Sequence, residues 1–388
     1  MALSKITNAS VADTAVHGRR NLIINGGMQV WQRGTTKTLT SNDTDNYHTA
    51  DRWGQFLDID EGSGSLSVTI SQSTDVPSGE GFAYSLKGAT TPSSFAKSGS
   101  DNLALFTYKV ETYDATRLAW GASGAKSATL SYWIKSDTTG TGTLQIRLTD
   151  SSVVSGASDG NFYTKFTVNA ANTWEYKTHV IPANTQDAWR NNVSNVAMHI
   201  HWYFGSNQSA AATQDAWFRN NNHGQPHSDN TYDFMNNAGE AYITGVQLEV
   251  GEASPFEHRS FAEELAACRR YYCQSGAHGV ADNPWTAGVT TNANYNYMMS
   301  DQMNDNSDRH PVNWMWPTPM RTSPTMTYYP ARTAVANTAS RLTPYSSNTL
   351  VTFTGSPAAR PEVVLGFFSG TSTDSNSLTF NYTADAEL

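Results

Sequence analysis

Two short phrases hold the densest chemistry in this sequence, TQDAWRNN beginning at Thr185 and TQDAWFRNNN beginning at Thr213. Each sets a tryptophan among Asp, Gln, Arg and Asn. That mix suits a sugar, because an aromatic face takes the C–H groups while planar amides and carboxylates take the hydroxyls. Both phrases fall in the longest stretch without strand pattern, and long loops in compact domains are disproportionately functional. Asp187, Trp189, Asp215, Trp217 and Arg219 are therefore the candidate glycan-contact residues. A structural reading competes with this one: buried tryptophans commonly pin long loops, and loops of an oligomer pack on the next subunit. The echo is local, with no further copies that would make a solenoid.

Two other sets could hold a metal. LDIDEGSG places Asp58, Asp60 and Glu61 ahead of a Gly-Ser turn, where hard oxygen ligands could bind a structural calcium. The full EF-hand loop and its distal Glu are missing, so an ordinary acidic turn is the preferred reading. His199 and His201 could share a zinc, but further ligands are needed and Cys268 and Cys273 are far along the chain. A solvated strand face is preferred there. No cofactor is expected beyond the calcium alternative.

Catalytic signatures are absent: there is no G-x-S-x-G elbow, no H-E-x-x-H, no phosphate-binding G-x-x-x-x-G-K-[ST] loop and no zinc-type cysteine pair. Glycan cleavage would need two carboxylates roughly 5 to 9.5 Å apart. Asp187, Asp215 and Glu240 are candidates that the sequence does not rank, and the chain is read as non-enzymatic. Cys268 and Cys273, on or just beyond one helix, diverge too far for a mutual disulfide and are read as ordinary thiols.

The elements that must position these groups are mostly strands. Around EAYITGVQLEVGEASPFEHRSFAEELAACRRYY, from Glu240 to Tyr272, strand, turn and helix signals agree. Tyr242, Val246, Leu248 and Val250 fall on one face, with Gly245, Gln247 and Glu249 on the other. Gly251 and Pro255 then break the chain, and Ser260 followed by Glu263 reads as a capping box. Phe261, Leu265, Cys268 and Tyr272 share the expected apolar face of the helix.

Earlier in the chain, Leu22, Ile24, Met28 and Val30 alternate as a first strand, with Gly26-Gly27 marking a bulge or a close backbone approach. The runs from Ala128 to Lys135 and from Leu144 to Thr149 alternate as antiparallel strands with one wet face. Val196 to Phe204 continues the pattern. Short strands separated by Gly, Pro and Ser clusters have the spacing of a sandwich. After Tyr272 the register changes to a Pro-punctuated series of short aromatic and β-branched runs, a second β module.

Composition bounds the class. At 388 residues the chain exceeds a usual single domain, so two domains are expected. Charged residues are 15%, against the roughly 25% typical of soluble domains. A net charge of −9 disfavours a sequence-independent grip on nucleic acid, which needs clustered Lys and Arg. No apolar run approaches the roughly 18 residues needed to span a bilayer, and the N-terminus lacks a signal-peptide apolar core, so folding in a cytoplasm is expected, with no membrane insertion.

Three runs carry a resemblance: GRRNLIINGGMQVWQRGTT from Gly18 with YHTADRW from Tyr47, KSATLSYWIKS from Lys126, and ITGVQLEVGEASPFEHRS leading into a short helix that ends CRRYY. They resemble a family of bacteriophage structural proteins described as tail-fibre or tail-associated. PTPMRTSPTMTYY from Pro317 is similar to the strand-turn-strand that follows the helix in that family. The resemblance implies a jelly-roll sandwich of the carbohydrate-binding-module type, a virion setting after assembly in a host cytoplasm, and a homotrimer.

The expected organisation is all-β: an attachment arm over residues 1–20, an antiparallel jelly-roll-like β-sandwich over 21–258, a short connecting helix over 259–274 and a smaller β domain over 275–388. The arm either joins other virion proteins or copies of this chain, or is a frayed end. The leading functional reading is a tail fibre or tail-associated protein that presents loops to a host surface polysaccharide. A capsid-attached decoration protein or head fibre is the alternative, and a glycan-degrading enzyme a weaker one.

Overall fold

The computed structural model describes residues 19–148, 159–185, 195–220, 224–275, 297–299, 309–330, 338–342, 349–352, 358–359, 361, 363–369 and 377–388. The expected arm lies, up to residue 18, outside the described residues. The chain divides into two compact units, one of residues up to 29, 37–46 and 53–259, the other of 30–36, 47–52 and 260–388. No helix among the described residues is long and apolar enough to cross a membrane.

In chain order, the strands of the first unit are β1 (Thr36–Leu39), β2 (Asp43–Tyr47), β3 (Trp53–Asp58), β4 (Ser63–Ser73), β5 (Ser85–Ala96) and β6 (Asn102–Glu111). They continue as β7 (Ala128–Ser136), β8 (Gly140–Leu148), β9 (Asp159–Val168), β10 (Glu175–Ile181), β11 (Val196–Ser206), β12 (Trp217–Asn220) and β13 (Gly239–Val250). Antiparallel ladders join them into a six-stranded sheet, β1-β4-β5-β13-β7-β10, and a seven-stranded sheet, β12-β9-β8-β11-β6-β3-β2. This is the expected jelly-roll-like sandwich. Alternation drives the two sheets together: Leu130, Tyr132 and Ile134 from β7 and Met198, Ile200 and Trp202 from β11 are all buried. Tyr132 meets Trp202 edge-on across the interior, with ring centroids 5.4 Å apart, and Trp53 packs at 5.9 Å from the same indole. Buried rings set this way contribute roughly 0.5–1.5 kcal/mol per pair beyond their area.

The expected first strand is replaced by a buried turn. Asn25 and Met28 adopt positive φ, 58° and 54°, which an extended strand forbids. The segment instead braces β13: Leu22 N donates to Leu248 O at 2.8 Å and Val246 N donates to Gly26 O at 3.0 Å. The close backbone approach inferred for Gly26 is present, since a Cβ there would overlap the carbonyl oxygen of Val246.

The face assignment along β13 also changes. A bulge between Thr244 and Gln247, with Gly245 at φ 62°, inserts residues opposite β7 and reverses the alternation. Val246 and Leu248 point into the core, while Tyr242 stands on the outer face beside Lys135 and Lys87. Gln247 and Glu249, on the face opposite Val246 and Leu248, are buried because the chain after Gly251 folds over them. Glu257 N donates to Gln247 Oε1 at 2.9 Å and Ser254 N to Glu249 Oε1 at 2.8 Å.

In the second unit, the helix α2 follows a single helical turn, α1 (Thr112–Ala115), in the numbering of the chain and spans Phe261–Arg269. Both halves of its Ser260–Glu263 capping box are formed. Its buried side differs from the expected one. Glu264 and Cys268 are buried, while Phe261 is 47% exposed. Tyr272–Gln274 is a strand rather than a continuation of the helix, pairing with Ser377–Asp385. Tyr297–Met299, Thr325–Pro330 and Thr338–Leu342 also pair with that C-terminal strand, and Arg309–Met315, Val363–Ser369 and Ala358–Ala359 form a further three-stranded sheet. Cys268 and Cys273 are free and buried, as ordinary thiols.

Candidate functional site

Of the candidate glycan contacts, Asp187 and Trp189 lie outside the described residues, and Asp215, Trp217 and Arg219 come together at the β12 edge of the seven-stranded sheet. Trp217 opens β12 rather than sitting in a loop, since residues 217–220 pair with β9. Its ring packs on Trp120 at 5.2 Å and Phe162 at 5.6 Å, and its indole N–H donates to Pro182 O at 2.8 Å. A half-buried indole held on two rings with its N–H used is an anchor for the edge strand. Asp215 takes φ 56° and turns the chain into β12. Its Oδ1 accepts from Thr164 Oγ1 at 2.5 Å, and its backbone N–H donates to Tyr163 O at 2.8 Å. Arg219 is exposed.

The second face of that sheet carries the histidines. Directly opposed residues in antiparallel strands share a face, which gives a row Lys109–His199–Arg147–Asn161–Phe218 and a row Thr107–His201–Gln145–Tyr163. The solvated face expected for His199 and His201 is not found: both are buried, His201 to 1% exposure. A neighbouring part of the same face, around Thr143 and Gln145, is covered by chain. Residues 224–232 run over the sheet, with His227 N donating to Thr143 Oγ1 at 2.8 Å and Gly224 N to Gln145 Oε1 at 3.4 Å. Beneath it Gln145 Nε2 donates to Asn161 Oδ1 at 2.7 Å and to Tyr163 OH at 2.8 Å. The two histidine rings stack 5.5 Å apart. Burial pushes the Tyr163 phenol up. The result is a closed polar layer.

The acidic turn satisfies backbone donors. Asp101 accepts from Glu61 N at 3.1 Å and from Ser98 N at 2.9 Å, and Glu61 accepts from Ser100 N at 2.6 Å. Burial, followed by the neighbouring carboxylates Asp60, Asp101 and Glu61, raises the Asp58 carboxyl above its ordinary range. Among the described residues no group of three or more His, Cys, Asp or Glu is placed to hold a metal ion.

The part of the outer face of the six-stranded sheet around β10 and the start of β13 is exposed and aromatic, and it lies outside the loop motifs. The register places Tyr176 of β10 opposite Trp133 of β7, with ring centroids 5.3 Å apart. The adjacent row holds Lys135, Tyr242 and Lys87, with Trp174 directly ahead of β10 and 6.3 Å from Tyr242. Lys135 Nζ lies 4.3 Å from the Tyr242 ring centroid and 5.7 Å from that of Trp174. Lys135 also contacts Asp75, which accepts from Trp174 Nε1 at 2.9 Å. At the far side Lys87 Nζ pairs with Glu240 at 2.7 Å, and Tyr242 OH donates to Glu240 at 2.9 Å. The Lys87 hydrogen bond holds the Glu240 carboxyl below the usual carboxylate range. Tyr176 is 45% exposed and Val180 66%, while Trp133, Trp174 and Tyr242 are half-buried. The signal was present in the sequence as the i, i+2 spacing of Trp174 and Tyr176 and of Trp133 and Lys135.

No protein-family model matches the chain, and no curated protein matches it. Among solved structures the chain is similar to a putative sugar binding protein from Bacteroides thetaiotaomicron, at 11% identity and a TM-score of 0.33, over 60% of this chain and 100% of that one. It is similar to the family 11 carbohydrate-binding module of a cellulosomal cellulase of Clostridium thermocellum, at 13% identity and a TM-score of 0.26, over 58% of this chain and 98% of the other. It is also similar to the enzymatically active domain of tailspike protein 4 of bacteriophage CBA120, at 13% identity and a TM-score of 0.29, over 60% of this chain. The chain spans only 21% of that tailspike chain.

Proposed function

We propose that this protein is a structural component of a phage virion, a tail fibre or tail-associated protein that presents its sandwich to a host surface polysaccharide and assembles as a homotrimer. The observation that carries this reading is where the runs resembling the phage family are used. Their polar residues are buried and spent on the frame: Asn21, Gln32, Arg33, Asp51, Arg52, Gln247 and Glu249 are all inside. Glu257 Oε2 accepts from the backbone N–H of Arg20 and Asn21 at 2.9 and 2.8 Å, and Arg259 Nη2 donates to Asn21 O at 2.6 Å. A motif built in this way specifies a scaffold, and it suits a chain whose role is to be in place and hold a surface outward.

Antibody-gold labelling of intact virions tests the assignment. Label on the tail supports it, label on the capsid assigns the chain to head decoration, and virions without label overturn the virion reading. Release of reducing sugar from host polysaccharide by the purified protein would move it to the glycan-degrading class.

A further inference from the structure

We propose that the outer face of the six-stranded sheet is a binding surface for a neutral polysaccharide, with Trp133, Tyr176, Trp174 and Tyr242 as stacking rings and Lys87 and Glu240 as hydroxyl-binding groups. It deepens the reading above and rests on it only for the source of the glycan. Two rows of rings stand side by side, since Trp174 and Tyr176 are two residues apart along one extended chain, or about 6.8 Å. That spacing is on the scale of one pyranose ring. Lys135, held between Trp174 and Tyr242, fixes the second row in place, so little ordering is left for a ligand to impose. Lys87 and Glu240, 2.7 Å apart at the rim, offer a donor and an acceptor together.

The charges select the class of occupant. Lys87 pairs with Glu240 and Lys135 with Asp75, so the face carries no surplus charge and gives no advantage to an acidic polymer. Single-stranded nucleic acid also stacks on aromatic rings, but its phosphates need unpaired cations, and the whole chain is at −9. The core of a protein interface is depleted of Lys, Glu and Asp, whereas here those residues alternate with the rings. Sugar hydroxyls bond to ionic groups at a wet rim without burying them.

The full-length chain would be run in native gels containing dextran, galactan, mannan or polygalacturonate, and in parallel with an oligothymidylate. Retardation by at least one of the three neutral polymers is expected, with none by polygalacturonate or the oligonucleotide. Tyr176→Ala and Trp133→Ala should each weaken it by about tenfold, the loss of one good aromatic contact. If Trp133→Ala does not fold, Tyr176→Ala still decides, because Tyr176 is 45% exposed. The proposal is overturned if none of the three neutral polymers retards the protein, if the variants bind as the parent does, or if polygalacturonate or the oligonucleotide binds best. A variant whose mass in light scattering falls below the parent's would assign the face to a second copy of the chain and overturn it equally. These gels are independent of virion labelling, so either reading can fail alone.

Discussion

Arg33 Nη1 lies 3.1 Å from Glu387 Oε1, joining residues from opposite ends of the chain inside one unit. Arg33 also meets Asp385 at 3.0 Å, and Arg52 contacts the other oxygen of Glu387. Each guanidinium is roofed by a ring, Arg33 by Tyr272 at 3.7 Å and Arg52 by Tyr271 at 3.6 Å. Arg321 closes the group by donating to the carbonyls of Ala386 at 2.7 Å and Glu387 at 2.8 Å. Arg33 and Arg52 are almost completely buried, and breaking a buried pair by removing one partner costs about 3 to 5 kcal/mol. Glu387→Gln is therefore expected to destabilise the second unit by roughly that amount, seen by calorimetry as a lowered transition. An unchanged thermogram would show that the pair contributes nothing.

Asp51 gives the same unit a pH dependence. Burial raises its carboxyl from the ordinary value of 3.8 to about 6, against the opposing pull of Arg33 and the hydrogen bonds from Gln32. The folded state thus holds this proton more tightly than the unfolded chain does. Its contribution to stability is fully present below about pH 4 and is lost as pH rises through about 6. In Asp51→Asn that slope should vanish. Thermal midpoints of parent and variant, compared from pH 4 to pH 7, check it. Parallel curves would contradict the assignment.

Trp217→Ala should act on stability and leave adsorption to host cells unchanged. Full burial of a tryptophan is worth about 3 to 5 kcal/mol on truncation, and a half-buried ring set on Trp120 and Phe162 should cost about 2 kcal/mol. Urea unfolding and an adsorption assay separate the outcomes. Lost adsorption at unchanged stability would instead assign Trp217 to glycan contact.

Ser260→Ala removes the hydroxyl that accepts from Glu263 N at 3.3 Å. Loss of such a cap costs about 1 kcal/mol, which hydrogen exchange would register as faster exchange in the first turn of the helix. Exchange at the parent's rate would mean that packing alone holds the helix start.

The sequence by itself determined whatever depends on neighbours along the chain. Alternation in β7 and β11 marked the core strands, because the side-chain period of a strand is two whatever it packs on. The Ser260–Glu263 box and the close approach at Gly26 were legible for the same reason, as local backbone demands. Tertiary structure decided the rest. The bulge at Gly245 put Tyr242 on the face opposite Val246 and Leu248, since one inserted residue switches the alternation between its two sides. Burial of Thr143 and Gln145 on the histidine face depended on residues 224–232 folding over them, and the meeting of Arg33 and Arg52 with Glu387 on closing a separation of more than 300 residues. Periodicity is a property of one segment, while a face becomes open or covered only when distant segments settle against it.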